Sequence, residues 1–417
     1  MTPEREDFYQ HYPNLLPEPD DTHSITHGER VRFQVFLKAI AVARNAAWRG
    51  WDGPAESFAA HESAASWRAV YEFYRKTYRL DPAEYETHCA WFAASVKDAH
   101  ACIRRTIQEC FTEPHRLRLL MTSDVESEQD PFELLRLCCM PGADILSRRT
   151  RFEARRQLTL AQLYFEMRLH GDAPDDLDRD MAEFDHELKR HFFVPGKSDS
   201  FRIVAELNPE DLFRVKSHDV SRNENVPDGH STEERLVLYP DVRFFRVARG
   251  HIPVYYEMRV KADAPLKLLR KNQRDTRSLT DLLGAKFVFF CEQDLLDGVD
   301  LMRRKLVCVP GTVFGEASNI SHAGVLDSAN TSSASEFRAW KYNVSLFGRF
   351  FELQFMLAPD WINERCSRGR ENHALYKLDT NCTKLFPKLF PAPFYLDWDD
   401  AELREQLHRL QLARIWS

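Results

Sequence analysis

The hydrophobic periodicity of this chain changes near its middle, and that change limits the available folds more than any other feature. Up to about residue 192, apolar residues recur at helical spacing, as in FQVFLKAI at residues 33–40, which gathers them on one helix face. After residues 194–200 (VPGKSDS), short runs of β-forming residues alternate with polar turns. The change predicts an α-helical domain, residues 1–193, followed by a second domain, residues 194–417.

The clearest helix start lies at Asp81-Pro82-Ala83-Glu84. Asp81 can cap the helix, Pro82 fits its first turn, and Glu84 can complete a capping box. Apolar residues then continue at helical spacing for several turns beyond it. Further helical segments are predicted near residues 131–140, 150–170 and 177–191.

The second half is predicted to combine strands with helices. The predicted strands are RLVLY (235–239), RFFRVA (243–248), PVYYEMRV (253–260), AKFVFF (285–290), KLVCV (305–309), FRAWKYNVSL (337–346) and RFFELQF (349–355). A helical pattern at residues 294–305 lies between two of them, so the whole chain is predicted to be α+β. The polar residues 316–335 are long enough for a mobile active-site loop, and a plain surface loop is an equal alternative.

Composition narrows the class of protein. A formal net charge of −7 argues against a protein coated in nucleic acid, so any polyanion site must be local. The nine cysteines include no CxxC pair, which favours reduced thiols over a disulfide framework. The N-terminus lacks the pattern of a signal peptide and no run is long enough to span a bilayer. We therefore expect a cytoplasmic protein without membrane contacts.

A basic segment stands out against this acidic background. Between Arg259 and Arg277 only Asp263 and Asp275 oppose the basic residues. The seven basic residues are Arg259, Lys261, Lys267, Arg270, Lys271, Arg274 and Arg277. Such a concentration suits a polyphosphate, although a solvated basic helix face would have the same sequence.

Two carboxylates accompany the basic segment: Asp281 leads a strand-like run, and Glu352 lies in the middle of another. A carboxylate buried in a sheet is costly unless a cation or hydrogen-bond donors satisfy it. Alternation also allows Phe351 and Leu353 to face the core while Glu352 faces outward. Together with the basic segment, the two acids are typical of a Mg²⁺-dependent phosphoryl or nucleotidyl transfer site.

The order of these motifs resembles the RelA/SpoT-type alarmone synthetases and their small and toxin-like relatives. Arg259-Val260-Lys261 matches the R-x-K that opens the family pattern, Asp281-Leu282-Leu283-Gly284 matches D-[LI]-x-G, and Glu352-Leu353-Gln354 matches E-[IVL]-Q. Phe337 stands where the family has a base-stacking aromatic residue, and residues 371–377 (ENHALYK) resemble the closing E-H-x-x-Y-K helix. The resemblance covers roughly residues 250–390.

The chain departs from the family pattern at several positions. Lys286 stands where the arginine of D-x-x-G-x-R is expected, and Lys341 replaces a histidine. Pro265, Leu269, Ser335 and Met356 also differ from the family residues. A second R-V-K, residues 214–216, has no D-x-x-G at the required distance, so we expect it to lie outside the site.

The resemblance implies a nucleotidyltransferase-type mixed β-sheet flanked by helices and a pyrophosphokinase activity that uses ATP and Mg²⁺. Asp281 and Glu352 would be the catalytic residues and metal ligands. The residues implied for ATP and phosphate binding are Arg259, Lys261, Lys267, Lys271, Arg277 and Lys286. Those implied for acceptor binding are Phe337, Lys341, Gln354, His373 and Tyr376.

The acceptor would be the ribose 3′-hydroxyl of a guanine or adenine nucleotide or of a tRNA end. A protein regulator or an antitoxin would act through the helical domain, residues 1–193. Two alternatives stay open at this stage. One is a catalytically silent nucleotide-sensing module of the same fold, and the other is an enzyme that transfers a nucleotidyl group.

Overall fold

The structure is a computed structural model of the chain. It describes residues 81–128, 133–134, 137, 144–222, 234–261, 264–271, 279, 281–308, 312–319, 337–346, 348–392 and 394–416. Four predictions lie wholly or mostly outside these residues: the stripe at 33–40, the helix at 131–140, Arg277 and the loop at 316–335.

The described part of the chain contains helices throughout its length and strands only after residue 192. The helices are α1 (Tyr85–Cys110), α2 (Glu113–Leu119), α3 (Ser123–Ser127), α4 (Ile145–Leu169), α5 (Pro174–His191), α6 (Ala264–Arg270), α7 (Glu292–Leu306), α8 (Ala358–Cys366), α9 (His373–Lys384), α10 (Phe386–Leu389) and α11 (Ala401–Trp416). The strands are β1 (Phe193–Asn208), β2 (Arg214–Arg222), β3 (Arg235–Leu238), β4 (Asp241–Val247), β5 (Gly250–Val260), β6 (Leu283–Phe289), β7 (Val313–Asn319), β8 (Trp340–Leu346) and β9 (Arg349–Leu357).

The chain divides into two compact units. The first contains the described residues of Met1–His170, Leu269–Thr276 and Cys382–Arg404, and the second contains those of Gly171–Leu268, Arg277–Asn381 and Glu405–Ser417. This division differs from the predicted domains, 1–193 and 194–417. The helix α5 belongs to the unit that holds the sheet, while a segment near the C-terminus belongs to the first unit.

The first unit is helical, and its longest helices pack through apolar residues. The helix starts later than predicted: Asp81 accepts a hydrogen bond from the Ala83 backbone N–H at 2.9 Å, but it precedes a single 3-10 turn, Pro82–Glu84. The N-cap of α1 is Glu84, which makes no side-chain capping hydrogen bond. In α1, the residues at helical spacing are buried, and Phe92 meets Phe165 of α4 edge to face at 5.5 Å. The predicted helix at residues 150–170 is confirmed as most of α4.

The second unit contains one mixed sheet of the nine described strands. Their order is β2-β1-β4-β5-β6-β9-β8-β7, and β3 pairs with β1 outside this path. Strands β6 and β9 are parallel, while the other neighbouring pairs are antiparallel. The predicted α+β class is therefore confirmed as helices with a mixed sheet.

The two faces of the sheet differ in chemistry because side chains alternate along β6 and β9. On one face, Phe351 stacks on Phe184 of α5 with ring centroids 4.3 Å apart, and Phe289 packs against Gly298 of α7. On the other face, Met356 joins an apolar cluster with Trp361 of α8. This second face also carries the polar residues of β5, β6 and β9.

The structure corrects two expectations. Residues 305–309 were expected to form a strand, but α7 continues to Leu306 and residues 307–308 form a turn. Residues 194–200 were expected to form a turn-rich connection, but they lie inside β1. A positive φ of 66° at Gly196 and a register shift between Phe193 and Ser198 let the strand continue through its turn-forming residues.

Among the described residues, no helix combines the length and the apolar character needed to cross a membrane.

Candidate active site

Three residues on neighbouring strands form a row across the middle of the sheet, with a charged residue at each end and a glycine between them. Arg259 on β5 lies opposite Gly284 on β6, and Gly284 lies opposite Glu352 on β9. The guanidinium of Arg259 reaches over β6 and donates a hydrogen bond to the Glu352 carboxylate. An acid is therefore tolerated inside a strand whose neighbours Phe351 and Leu353 are buried on the opposite face.

Gly284 is required in this row because it leaves room for the arginine side chain. A Cβ at this position would lie 2.8 Å from the carbonyl oxygen of Glu352 and 3.1 Å from Nε of Arg259. Both distances are shorter than ordinary carbon contacts. The glycine of the D-L-L-G motif thus permits the cross-strand ion pair.

Asp281 lies two residues before β6 and receives two ammonium groups. Lys261, which directly follows β5, and Lys267, on α6, both donate to the same carboxylate oxygen, Oδ2. Burial by itself would raise the pKa of Asp281, but the two lysine charges outweigh burial and lower that pKa below its usual range. The carboxylate is therefore ionised throughout the neutral range.

Arg259 and Lys261, two residues apart in the chain, pair with the two predicted acids, Glu352 and Asp281. The pKa of Lys261 is lowered to about 8, mainly by burial, while the carboxylates of both Asp281 and Glu352 act in the opposite direction. Arg259 and Lys267 act in the same direction as burial because like charges disfavour the protonated amine. The two predicted catalytic acids, far apart in sequence, thus act on the same ammonium group.

A second polar row lies beside the first, two residues along each strand. Lys286 lies between Glu257 on β5 and Gln354 on β9, and Gln354 lies opposite Lys341 on β8. The ammonium of Lys286 is buried and pairs with the carboxylate of Glu364 on α8. The lysine that replaces the arginine of the family pattern therefore has an acidic partner inside the protein.

Gln354 connects the two rows. Its Nε2 donates to Oε2 of Glu352 at 2.9 Å, so the amide orients the Glu352 carboxylate. The residue is 4% exposed, and its Oε1 has no hydrogen-bond partner among the described residues. The guanidinium Nε of Arg259 is also buried without such a partner there. A water molecule or a ligand could supply the missing partners of these two groups.

We call the following eight residues the charge cluster: Arg259, Lys261, Lys267, Lys286, Lys341, Asp281, Glu352 and Glu364. Five of them are cationic and three are carboxylates, so the cluster carries excess positive charge. Lys341 belongs to the cluster because it lies opposite Gln354 in the second row. Burial lowers the pKa of Lys341, while the carboxylates of Glu352, Glu364 and Asp281 raise that pKa. An excess of cations around ionised carboxylates suits a polyanion that arrives with a divalent cation.

Of the residues predicted to bind the acceptor, Lys341 belongs to this cluster, and Phe337, Gln354 and His373 lie beside it. Phe337 is 5% exposed within an apolar cluster, and Nζ of Lys341 lies 4.9 Å from the centre of its ring. Stacking on a base therefore requires Phe337 to become more exposed. Tyr376 packs, partly buried, against the same apolar cluster.

His373 is the first residue of α9. Burial lowers the pKa of His373 to about 3, and the charges of Lys377, Lys286, Arg259 and Lys261 contribute to the decrease. The imidazole is consequently neutral in the absence of an anion.

The remaining predicted residues are not part of the described cluster. Lys271 is exposed after the end of α6 and belongs to the first unit. Arg277 lies outside the described residues.

The sequence did not indicate the acidic partner of Lys286 or the contacts of α8. Consecutive residues of this helix contact three different strands: Asn363 accepts from the backbone N–H of Val215, Glu364 pairs with Lys286, and Arg365 pairs with Glu257. The sequence shows only that these three residues form a polar triplet after Trp361 and Ile362. That pattern alone gives no indication of which strands the helix meets.

The two carboxylates fit a magnesium ion better than a transition metal. Among the described residues there is no group of three or more His, Cys, Asp or Glu side chains that could hold a metal by themselves. Mg²⁺ needs only one or two carboxylates, because phosphate oxygens and water complete its coordination. Asp281 and Glu352 supply two hard oxygen donors beside several cationic side chains, so the residues present fit Mg²⁺ that enters with a polyanion.

Comparisons of this chain with protein-family models, with curated proteins and with solved structures find no match.

Proposed function

We propose that the protein is a Mg²⁺-dependent pyrophosphokinase with a RelA/SpoT-like catalytic fold. It would transfer the β,γ-pyrophosphate of ATP to a ribose 3′-hydroxyl, either of a nucleotide or of a tRNA end. The acceptor oxygen would form a bond to the β-phosphorus as the bond from that phosphorus to the α,β-bridging oxygen breaks, and AMP would leave.

The observation that carries the proposal is the pairing of Arg259 with Glu352 and of Lys261 with Asp281, which brings the two acids to cations two residues apart in the chain. Asp281 lies just before β6 and Glu352 lies within β9, and each is ionically paired with a cation of the basic segment. Two carboxylates within a surplus of cations are what a metal-bound polyphosphate requires. The motif order of the sequence supports the same conclusion.

The chain's own cations would bind and orient the triphosphate. Arg259 can offer a planar fork of donors, while Lys261 and Lys267 act as point charges. These groups now neutralise Asp281 and Glu352, so an incoming polyphosphate would take over the lysine and arginine donors. Mg²⁺ held by Asp281 and Glu352 would supply neutralisation of the charge that develops on the leaving AMP.

Glu352 would also accept the proton of the attacking 3′-hydroxyl, directly or through a water molecule. Its carboxylate is oriented by Gln354, whose amide donates to Oε2. Loss of that hydrogen bond should therefore lower turnover more than it weakens ATP binding.

One observation favours a second candidate, a catalytically silent nucleotide-sensing module. Every carboxylate of the charge cluster is already paired with a cation of the same chain, and Lys286 is held by the buried Glu364. A site that binds a nucleotide by exchanging these ion pairs need not transfer any group. Binding of ATP without release of AMP would identify this candidate.

The deciding experiment is incubation of the purified full chain with γ-labelled ATP, Mg²⁺ and separate pools of GDP, GTP, ADP, ATP and tRNA. The pyrophosphokinase proposal predicts label in one pool and an equal amount of AMP. Label that stays in ATP in every pool, with ATP binding retained, contradicts transfer and supports the silent module. Release of pyrophosphate with incorporation of AMP would instead identify a nucleotidyltransferase.

A further inference from the structure

The connection between α8 and α9, residues 367–372, joins two residues that act at the charge cluster. Glu364, near the end of α8, pairs with Lys286. His373 begins α9 and lies within electrostatic reach of Lys286 and Arg259. A shift of this connection would therefore move a carboxylate and an imidazole of the site together.

Arg214 binds this connection through a two-pronged ion pair. Its Nε donates to Oε1 of Glu371 at 3.0 Å, and its Nη2 donates to Oε2 of the same carboxylate at 3.1 Å. Glu371 is 4% exposed, so the pair is largely desolvated on the acidic side. Parallel arginine–carboxylate bonds fix direction as well as distance, which a lysine cannot reproduce.

The backbone of the connection is shaped to receive Glu371. A Cβ on Gly369 would lie 2.5 Å from Oε2 of Glu371, so only glycine leaves room for the carboxylate. Asn372 then caps α9, because its Oδ1 accepts from the backbone N–H groups of Ala374 at 3.0 Å and Leu375 at 3.1 Å. Its Nδ2 donates back to the carbonyl oxygen of Ser367 at 2.8 Å.

The turn just before Arg214, at residues 212–213, is also hydrogen-bonded to the α8–α9 connection. The backbone N–H of Arg368 donates to the carbonyl oxygen of Leu212 at 2.7 Å. Leu212 and Phe213 have φ values of 53° and 57°, which non-glycine residues rarely adopt. Such a conformation persists where surrounding contacts hold it, and Arg368 supplies one by lying 4.1 Å above the Phe213 ring.

We propose that Arg214 is a positioning residue for the transfer reaction: its ion pair with Glu371 fixes the α8–α9 connection, and through it the places of Glu364 and His373. The inference rests on the proposed function for its kinetic consequence. The second R-V-K, residues 214–216, would thus lie outside the charge cluster and still fix the positions of residues that act there. It also assigns Glu371, which the sequence pattern links to the closing helix, to an ion pair with β2.

The test uses the full chain with Arg214→Ala, Arg214→Lys and Glu371→Gln, and Lys216→Ala is the matched control on the same strand. Backbone hydrogen exchange is measured for residues 367–375 without ligand, and label transfer gives kcat and KM for ATP. We expect exchange in this segment to rise roughly tenfold or more in the first and third variants, with a smaller rise for Arg214→Lys. We expect kcat to fall about tenfold while KM for ATP stays within about twofold.

Lys216→Ala should change neither measurement. Unchanged exchange in both Arg214→Ala and Glu371→Gln would overturn the inference, as would a raised KM with normal kcat, since that split indicates direct ATP binding by Arg214. Arg214→Lys keeps the charge and most of the volume, so it reports on the fork even when Arg214→Ala does not fold. Exchange needs no turnover, so a chain that transfers no label but shows the exchange differences contradicts the proposed function and not the role of Arg214 in fixing the connection.

Discussion

The tripeptide Arg-Val-Lys occurs twice in this chain, and the two copies have different surroundings. In residues 259–261, the arginine pairs with Glu352 and the lysine pairs with Asp281. In residues 214–216, the arginine pairs with Glu371 and the lysine is exposed. Identical local sequence therefore contributes to the charge cluster in one place and to a structural ion pair in the other.

The difference follows from the position of each strand in the sheet. β5 lies between β4 and β6, whereas β2 is at the end of the strand order. An interior strand presents its side chains to neighbours on both sides, so Arg259 can reach across Gly284 to β9. An end strand has one such neighbour and meets solvent or a covering helix instead. Strand neighbours, and not the tripeptide, decide what these basic residues do.

The largest expected effect is the loss of label transfer when either acid that pairs with the first tripeptide, residues 259–261, is neutralised. Asp281→Asn and Glu352→Gln should each lower kcat/KM for label transfer by at least about 100-fold, or about 2.7 kcal/mol. Each change removes the charge that binds the metal while it keeps the shape of the side chain. Asp300→Asn, on an exposed residue of α7, is the control and should leave transfer unchanged. Near wild-type turnover in either site variant would contradict the proposal that the two carboxylates form the active site.

Gly284→Ala tests whether the arginine of the first tripeptide needs the space that Gly284 leaves over β6. The added methyl group would crowd the Glu352 carbonyl oxygen and the Arg259 side chain. We expect a loss of about 1–3 kcal/mol in the free energy of unfolding, measured by urea titration. We also expect weaker ATP binding, because Arg259 can no longer hold its place. Wild-type stability and affinity would show that the cross-strand geometry is unimportant.

A direct comparison of the two lysines should give a smaller difference. Lys261→Ala is expected to raise KM for ATP by about tenfold, which corresponds to about 1.4 kcal/mol, because it removes a phosphate-binding cation next to Asp281. Lys216→Ala is expected to change KM by less than about twofold. The result that contradicts the comparison is the reverse order, which would move the ATP site to β2.

The smallest expected effect concerns the imidazole of His373. NMR titration should find its pKa well below the ordinary value of 6.5, since burial and nearby cations disfavour its protonated form. Arg259→Met should raise that pKa because it removes one of those cations, while Lys216→Met should not move it. The unfolded chain binds the proton more readily, so stability should fall as the pH decreases from 6.5 towards 3, and His373→Gln should reduce this slope. An unshifted pKa in Arg259→Met would place His373 away from the cluster.

The sequence predicted much of the local structure of the second unit. Six of the predicted strands correspond to β3, β4, β5, β6, β8 and β9, because β-forming runs bounded by polar turns follow short-range rules. The strands β1, β2 and β7 were not predicted, and residues 316–319 of the predicted loop lie in β7. In β1 a bulge absorbs Gly196, and β2 is polar enough to resemble a loop. Pairing with β4 and β1 stabilises them, and a sequence window does not contain those partners.

For the site, residue types and their spacing along each strand are enough to predict which residues carry charge and which face they occupy. The period of two places Glu352 and Gln354 on the face opposite Phe351 and Leu353, whatever the rest of the fold. The partners of the charged residues follow from the packed fold: Lys286 pairs with Glu364, and Arg214 pairs with Glu371. The alternation of side chains is a property of the backbone, while an ion pair depends on distances between distant segments, and those distances exist only after the sheet and its covering helices have packed.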